Sequence, residues 1–259
     1  MARGTQTTTH GTLEEIESIA DRIASWIGEN PVAVIGMAAA ILLSAAAYGG
    51  WVAWQSGRED SASFALASLD RDYLKAMGAP PGATEITEPA NPETAKAVRR
   101  EFAEKLLAMA NEHPRTSAAT VARMTAGDLL AAAGDPEKAF AAWQAALAGV
   151  GRNPALRGVA LRRVATAFEA QGKWREAADA NLEAGELSGF PLRHWALADA
   201  ARCYAEAGDF EQAVSLATRL ESDGSEEELP PHLTAKLAEL RAQGAPGAAT
   251  GPSQAAKAP

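Results

Sequence analysis

The sequence predicts an all-α protein in which a single N-terminal transmembrane helix precedes a solenoid of helix pairs. Residues 32–54 form an apolar run without any charged side chain, which is long enough to cross a bilayer. Three later segments repeat one pattern of glycine and alanine. The chain nowhere alternates apolar and polar residues as a half-buried strand would, and this favours helices throughout.

Residues 1–30 are predicted to be a short N-terminal tail that contains an amphipathic helix. The first 11 residues are polar and rich in threonine, and Thr12 and Glu15 then form a capping box. One face of the predicted helix carries Ile16, Ile19, Ile23, Trp26 and Ile27. Such a face suits either the membrane surface or a protein partner, and both alternatives stay open.

Residues 31–55 are predicted to be the transmembrane helix. The 23 residues from Val32 to Trp54 carry no charge, and at about 1.5 Å per residue they exceed the ~30 Å hydrocarbon core. Asn30 can cap this helix, and Pro31 can occupy its first turn. The aromatic residues near its two ends, where the membrane interfaces would lie, are Trp26, Tyr48, Trp51 and Trp54.

Two other interpretations compete with an uncleaved anchor. A buried central helix is rarely this long without a polar face. A cleaved export signal would use Ala45 and Ala47, but the apolar run continues beyond them and the preceding segment is long and acidic. The anchor is therefore favoured. Within it, Gly36, Ala40 and Ser44 recur every fourth residue, either as a membrane helix-packing face or by chance in an alanine-rich chain.

The charges beside the span give little information about its orientation. Arg22 is the only nearby cation on the N-terminal side, whereas Arg58 and Arg71 follow the span. The positive-inside rule then slightly favours a cytoplasmic C-terminus, by a difference too small to decide the topology alone.

Residues 56–115 are predicted to be a helical linker region. Its first part is helical, and the side chains available there for packing are Phe64, Leu66, Leu69, Tyr73 and Leu74. A proline-rich loop at 78–92 follows, and then a helix from about Glu93 to Asn111 that Pro114 stops. At the other end of the chain, residues 244–259 are expected to be a disordered tail.

Residues 116–243 are predicted to contain three helix–turn–helix repeats, at about 116–149, 154–188 and 190–223, and a capping helix at 231–243. Each repeat has a turn glycine, an alanine five residues later and a small residue seven residues earlier. The three sets are Gly134, Ala139 and Gly127; Gly172, Ala177 and Ala165; and Gly208, Ala213 and Ala201. The glycine suits the positive φ that ends a helix, and the alanine allows close packing.

Larger side chains are expected to fill the spaces between the helices, namely Leu130, Phe168, Tyr204, Trp143, Trp174 and Phe210. The intervals between the turn glycines are 38 and 36 residues. This pattern is similar to that of tetratricopeptide (TPR) repeats, in which stacked pairs bury a continuous core that one pair cannot bury alone.

The order of these parts resembles one family as a whole. An acidic N-terminus and one span lead into a stretch that contains Trp51, Trp54, Ser56, Asp60, Ser61, Ala62 and Ser63, and "HPRTSAA" precedes the repeats. Over roughly residues 12–243 the chain looks like the TPR-like family of the ancillary SecYEG translocon subunit (YfgM-like). The resemblance implies a single-pass bacterial inner-membrane protein with a cytoplasmic N-terminus and a periplasmic TPR domain. Its implied partners are the SecYEG translocon and a membrane-bound periplasmic foldase or chaperone.

No motif for enzymatic chemistry, a cofactor or a metal occurs in the sequence. His10, His113, His194 and His232 lack zinc-site spacing, and there is no phosphate loop or nucleophile elbow. The net charge of -9 and the absence of a basic cluster argue against nucleic-acid binding. We expect Cys203, the one cysteine, to be a small buried residue.

The candidate partner-binding groove lies on the first helix of each repeat. The repeat register directs into it Met124, Asp128, Arg162, Thr166, Glu169, Trp195, Arg202 and Glu206. Arg162 and Arg202 either bind a carboxylate of a peptide or pair with Glu169 and Glu206. Trp195 is more easily explained as packing than as a ligand platform.

Three functions fit these features. The first is a membrane-anchored, non-enzymatic TPR scaffold that joins the translocon to periplasmic chaperones. The second is an envelope adaptor for cell division or secretion-system assembly that uses the same groove. The third is an enzyme or regulator whose active site forms only on assembly, for which the sequence offers no catalytic group.

Overall fold

The computed structural model describes residues 22, 25–80, 82, 91–224 and 229–244. In this part of the chain all regular structure is helical. The helices are α1 Pro31–Ala76, α2 Pro92–Glu112, α3 Ser117–Ala132, α4 Pro136–Gly149, α5 Pro154–Ala170, α6 Trp174–Glu186, α7 Arg193–Glu206, α8 Phe210–Ser222 and α9 Pro231–Gly244. Most of the N-terminal amphipathic segment, of the loop at 78–92 and of the tail at 244–259 lies outside the described residues.

The chain divides into two compact units, Met1–Gly57 and Arg58–Pro259. In the first, α1 begins at Pro31 as predicted, but the side chain of Asn30 acts differently. The Asn30 backbone carbonyl accepts the first hydrogen bonds of α1, from the N–H groups of Ala33 and Val34 at 3.1 Å, whereas its side-chain amide donates to the Trp26 carbonyl of the preceding turn at 3.1 Å. Helix α1 is long and apolar enough to cross a membrane, and none of its most apolar stretch is buried.

In the second unit, side chains from residues 58–76 of α1 pack against the core that α2 and α3 form before the first predicted repeat turn. Ala62 is fully buried, and the Tyr73 and Phe102 rings lie 5.5 Å apart. Leu66 and Leu69 pack against the same core, as predicted. Phe64, also expected to pack, is instead 73% exposed because it lies about 200° around the helix from Leu66.

The three repeats α3–α4, α5–α6 and α7–α8 turn at the predicted glycines. Gly134, Gly172 and Gly208 have φ values of 85°, 70° and 82°. The residue after each turn glycine donates its backbone N–H to the carbonyl five residues earlier. The bonds are Asp135 to Leu130, Lys173 to Phe168 and Asp209 to Tyr204, at 2.9, 2.9 and 2.8 Å. This is the Schellman motif, which explains the requirement for glycine.

Small residues allow the paired helices to approach closely. Ala139, Ala177 and Ala213 are fully buried, as predicted. A Cβ atom added to Gly127 would lie 2.3 Å from the Trp143 ring nitrogen. Phe210, expected to fill a gap, is 53% exposed because the buried stripe of α8 begins one turn later, at Ala213.

The last helix covers the end of the stack. Helix α9 packs on both α7 and α8. Its leucines, Leu233, Leu237 and Leu240, are buried in the same core cluster as Leu197 and Leu220. The second unit is thus a TPR-like α-solenoid whose final pair is closed by an apolar helix face.

Candidate partner-binding surface

The first helices of the pairs form one continuous face of the solenoid. Helix α3 contacts α5, α5 contacts α7, and α7 contacts α9. All eight residues predicted for the groove lie on α3, α5 and α7. The structure therefore describes the surroundings of each of them.

At the α3 end of this face, Met124 is buried and Asp128 already forms a hydrogen bond and an ion pair. Met124 is 7% exposed and packs with Ala146 and Ala160, so its side chain is not available to a partner. Asp128 accepts a hydrogen bond from the Trp143 indole N–H at 3.1 Å and pairs with Arg163 of α5 at 2.8 Å. We therefore leave Met124 out of the candidate surface.

The two arginines at the centre of the face form one charge network with carboxylates from α5 and α7. Arg162 lies 2.9 Å from Asp199, and Arg202 lies 2.8 Å from Glu169 and 3.4 Å from Asp199. Two positive and two negative groups thus balance one another. A carboxylate of a ligand would have to displace an existing partner, so the network holds successive repeats together and is not an open anion site.

Sequence reasoning identified only part of this network. One alternative was that the two arginines pair with Glu169 and Glu206. Glu169 does pair, with Arg202 of the next repeat, but Arg162 pairs with Asp199, and Glu206 is exposed at the end of α7. Asp199 lies 37 residues after Arg162, close to the interval between the turn glycines. A search for opposite charges at the repeat interval would have found it.

The remaining predicted residues differ in how accessible they are. Thr166 is exposed, and its hydroxyl donates to the Arg162 carbonyl at 2.9 Å, leaving its lone pairs free to accept. Trp195 is half-buried and packs against the core around α7 and α9. Thr166 and Glu206 are therefore the most accessible of the predicted residues.

A cleft between the first and second repeats adds residues that the sequence analysis missed. It has a volume of about 610 Å³, and its lining includes Pro136, Glu137, Phe140, Trp143, Thr166 and Gln171. The Phe140 and Phe168 rings meet edge to face, with 5.2 Å between their centroids. The equivalent positions in the second and third repeats hold Ala178 and Val214. The aromatic residue at this position in the first repeat is the feature of the sequence that could have indicated the cleft.

The cysteine beside this face is a buried thiol with a raised pKa. Cys203 is fully buried, as predicted, and burial raises the pKa of its thiol to about 12. The nucleophilic thiolate is thus absent near neutral pH. Among the described residues, no group of three His, Cys, Asp or Glu side chains is placed to hold a metal ion.

The candidate membrane helix-packing face lies on α1. The Ser44 hydroxyl donates to the Ala40 carbonyl at 2.7 Å, which satisfies it within the helix. A Cβ atom at Gly36 would meet no atom within 4 Å. These residues are exposed in the described chain, and their role in contacting another helix stays a prediction.

No family model and no curated protein matches the chain. Two crystal structures of nearly identical TPR-like repeats from Podosopora anserina, assigned to a kinesin light chain, are similar in fold. One is 17% identical with a TM-score of 0.44 and covers 60% of this chain and 90% of its own. The other, a single-residue variant, is 16% identical with a TM-score of 0.48 and covers 69% and 87%. The assignment of the solenoid rests on the helix pairs and turns described above.

Proposed function

We propose that this protein is a membrane-anchored TPR scaffold that binds other proteins and catalyses no reaction. The observation that carries the proposal is the combination of an unburied apolar helix with a solenoid that has its own closed core. Anchoring confines the solenoid to the membrane surface and raises its effective concentration toward membrane partners.

The proposed binding surface combines the inter-repeat cleft with the exposed residues of the first helices. An aliphatic or aromatic side chain of a partner enters the cleft between Phe140 and Thr166, and its backbone accepts or donates hydrogen bonds along α5 and α7. Asp128, Arg162, Glu169 and Arg202 hold the shape of this surface through their ion pairs. Trp195 and Glu206 extend it toward α9.

The more specific proposal places the protein in the bacterial inner membrane, with its N-terminus in the cytoplasm and the solenoid in the periplasm. There it is an ancillary subunit of the SecYEG translocon and links the translocon to a membrane-bound periplasmic foldase. This proposal is supported by the family resemblance in the order of its parts. The competing proposal is an envelope adaptor for cell division or secretion-system assembly.

In-cell photocrosslinking tests the surface and identifies the partner together. A photoreactive amino acid at Thr166 or Glu206 is expected to capture a specific protein, and one at Thr218, exposed on the second helix α8, is expected not to. Recovery of translocon subunits supports the first assignment, and recovery of division or secretion proteins supports the alternative. Equal crosslinking from Thr166 and Thr218 would contradict the proposed surface.

Topology and anchoring are tested with a reporter at the C-terminus. The expected result is a full-length product that resists alkaline extraction from membranes, with a periplasmic readout. A shortened soluble product would indicate a cleaved export signal. A cytoplasmic readout would overturn the periplasmic assignment.

A further inference from the structure

A second groove lies between α2 and α4, and its lining also includes Arg123 and Leu130 of α3. Its volume is about 390 Å³. The floor is made by small and aliphatic side chains, namely Ala103, Leu107, Leu130, Ala141, Ala142 and Ala145. On α4 the lining residues Lys138, Ala141, Ala142 and Ala145 follow helical spacing. Beyond Lys138 this face of α4 therefore has only small side chains and admits another chain closely.

The rim of this groove is positively charged, whereas the whole chain has a net charge of -9. Arg100, Arg123 and Lys138 lie on the rim with a single carboxylate, Glu104. Arg100 is already engaged, because it pairs with Asp135 at 2.6 Å and donates to the Ala133 carbonyl at 2.8 Å. Arg123 and Lys138 therefore supply the excess positive charge.

Neither of these two cations forms an ion pair in the part of the chain that the structure describes, although Lys138 lies near enough to the Asp135 carboxylate to help lower its pKa. Arg123 donates to the Ala110 carbonyl at 2.9 Å and lies 3.5 Å from the Asn111 side-chain oxygen, both neutral groups. Partial burial lowers the pKa of Arg123, which is the effect of removing a cation from water without a counter-charge. Lys138 is exposed on the first turn of α4.

The positive groups lie at the two ends of the groove. The lining residues of α2 run from Arg100, beside Lys138 and Asp135, to Asn111, beside Arg123. Eleven residues of helix span about 16 Å. An apolar floor between two positive ends, at this separation, matches a polypeptide segment with acidic residues at both ends and aliphatic residues between them.

We propose that the groove between α2 and α4 is a second docking surface, which binds an acidic polypeptide segment with aliphatic residues at its centre. The partner's carboxylates meet Lys138 at one end and Arg123 at the other, and its aliphatic side chains cover the alanine floor. Charge complementarity selects the partner, because the floor alone would accept any apolar segment. This surface is separate from the cleft of the proposed function, so one molecule can hold two partners.

The test uses the full chain in detergent and a labelled peptide with a pair of glutamates at each end and leucines between them. The control peptide has lysines in place of the glutamates. Fluorescence anisotropy is expected to show saturable binding of the acidic peptide, and Lys138→Glu is expected to weaken that binding by about tenfold. Lys75→Glu, the same charge change on α1 outside the groove, is expected to leave it unchanged.

A second pair of variants tests the groove itself without changing charge. Ala141→Trp places a large side chain in the groove and is expected to abolish binding of the acidic peptide. Gln144→Trp, on an exposed position of the same helix outside the groove, is expected to bind normally. Circular dichroism checks that both variants fold.

Three results would overturn the proposal. The first is equal binding of the two peptides or no binding of the acidic one, and the second is an equal effect of the two tryptophan substitutions. The third is displacement of the peptide by vesicles of anionic lipid whose own binding is weakened by Lys138→Glu. That result would indicate that the groove contacts a membrane. Photocrosslinking at Thr166 reports on the other surface, so either proposal can fail alone.

Discussion

The guanidinium of Arg202 on α7 lies 2.8 Å from the carboxylate of Glu169 on α5, and the two residues are 33 positions apart. This separation is close to the length of one repeat. Other pairs that join successive repeats have similar separations: Arg163 and Asp128 at 35, Arg162 and Asp199 at 37, and Arg175 and Asp209 at 34. Ion pairs at the repeat interval thus connect each helix pair to the next.

The first prediction concerns this connection. Glu169→Gln removes the charge that neutralises Arg202, which is only partly exposed, so we expect the free energy of unfolding to fall by about 1 kcal/mol. Denaturant unfolding followed by circular dichroism measures the change. Glu206→Gln, exposed near the end of the same face, is the matched control and is expected to have no effect. An equal loss in both variants would contradict a specific role for the pair.

The same network changes how the arginines should be tested for binding. Arg162→Glu and Arg202→Glu would each replace a cation of this network with a carboxylate that lies beside Asp199. The resulting repulsion would disturb the packing of α5 against α7. Loss of a partner in these variants would not separate binding from stability. Substitutions at Thr166 and Glu206 avoid this problem because both side chains are exposed.

The second prediction concerns the closest contact within a repeat. Gly127→Ala forces the Trp143 ring to move, since the new Cβ atom would lie 2.3 Å from its nitrogen. The ring nitrogen would then lose its hydrogen bonds to Asp128 and the Met124 carbonyl. We expect a loss of about 2 kcal/mol in the free energy of unfolding. Gly57→Ala, in open space on a helix, is expected to be neutral or slightly stabilising.

The third prediction concerns the turn that leads into the first repeat. The Glu59 carboxylate accepts hydrogen bonds from the backbone N–H groups of Ser117 and Ala118 at 2.9 and 3.0 Å, at the N-terminus of α3. Glu59→Ala removes both bonds and the favourable charge, and we expect a loss of about 1 kcal/mol in unfolding free energy. Thermal unfolding measures it. The exposed neighbour Asp60→Ala should leave the transition unchanged, and a similar shift there would contradict the capping role.

The fourth prediction concerns the buried thiol. Burial raises the pKa of Cys203 from 9.0 to about 12, so the thiol stays protonated near neutral pH. We expect a thiol-specific reagent to react with the native protein far more slowly than with the protein in denaturant. Rapid labelling of the native protein would contradict the described packing of α7.

The fifth prediction follows from the same group and from Tyr204. Burial raises the pKa of Tyr204 from 10.0 to about 12, and the hydrogen bond to Asp179 adds to this. Both groups bind their protons more tightly in the folded state, so their contribution to stability is full below about pH 9 and is lost as the pH rises toward 12. Unfolding measured across this range should show decreasing stability, and Tyr204→Phe should make the decrease less steep. A parallel decrease in both proteins would exclude Tyr204 as a cause.

Local requirements made several features predictable from the sequence. Gly134, Gly172 and Gly208 mark the turns because a residue with positive φ must follow the first helix of each pair. The buried alanines five residues later follow from the close approach of paired helices. The apolar length of α1 depends only on composition, so the candidate span was also evident.

The candidate surface was less predictable, because a helical period gives the face of a residue but not the rotation and axial position of the neighbouring helix. Met124 was placed in the groove by register, yet it is buried under α4 and α5. Arg162 pairs with Asp199 and not with a residue of its own helix. The contribution of Phe140 to a cleft likewise depends on how two repeats are spaced.

The sequence by itself therefore determined the helices, the turns and the apolar segment of α1, because each depends on residues close together in the chain. Only the tertiary structure decided which charges neutralise one another, which large side chains stay exposed and where the two grooves lie. Those features depend on offsets of a few ångströms between helices that are 30 or more residues apart. The pairing of Arg202 with Glu169, and of Arg162 with Asp199, shows how such an offset selects one carboxylate among several.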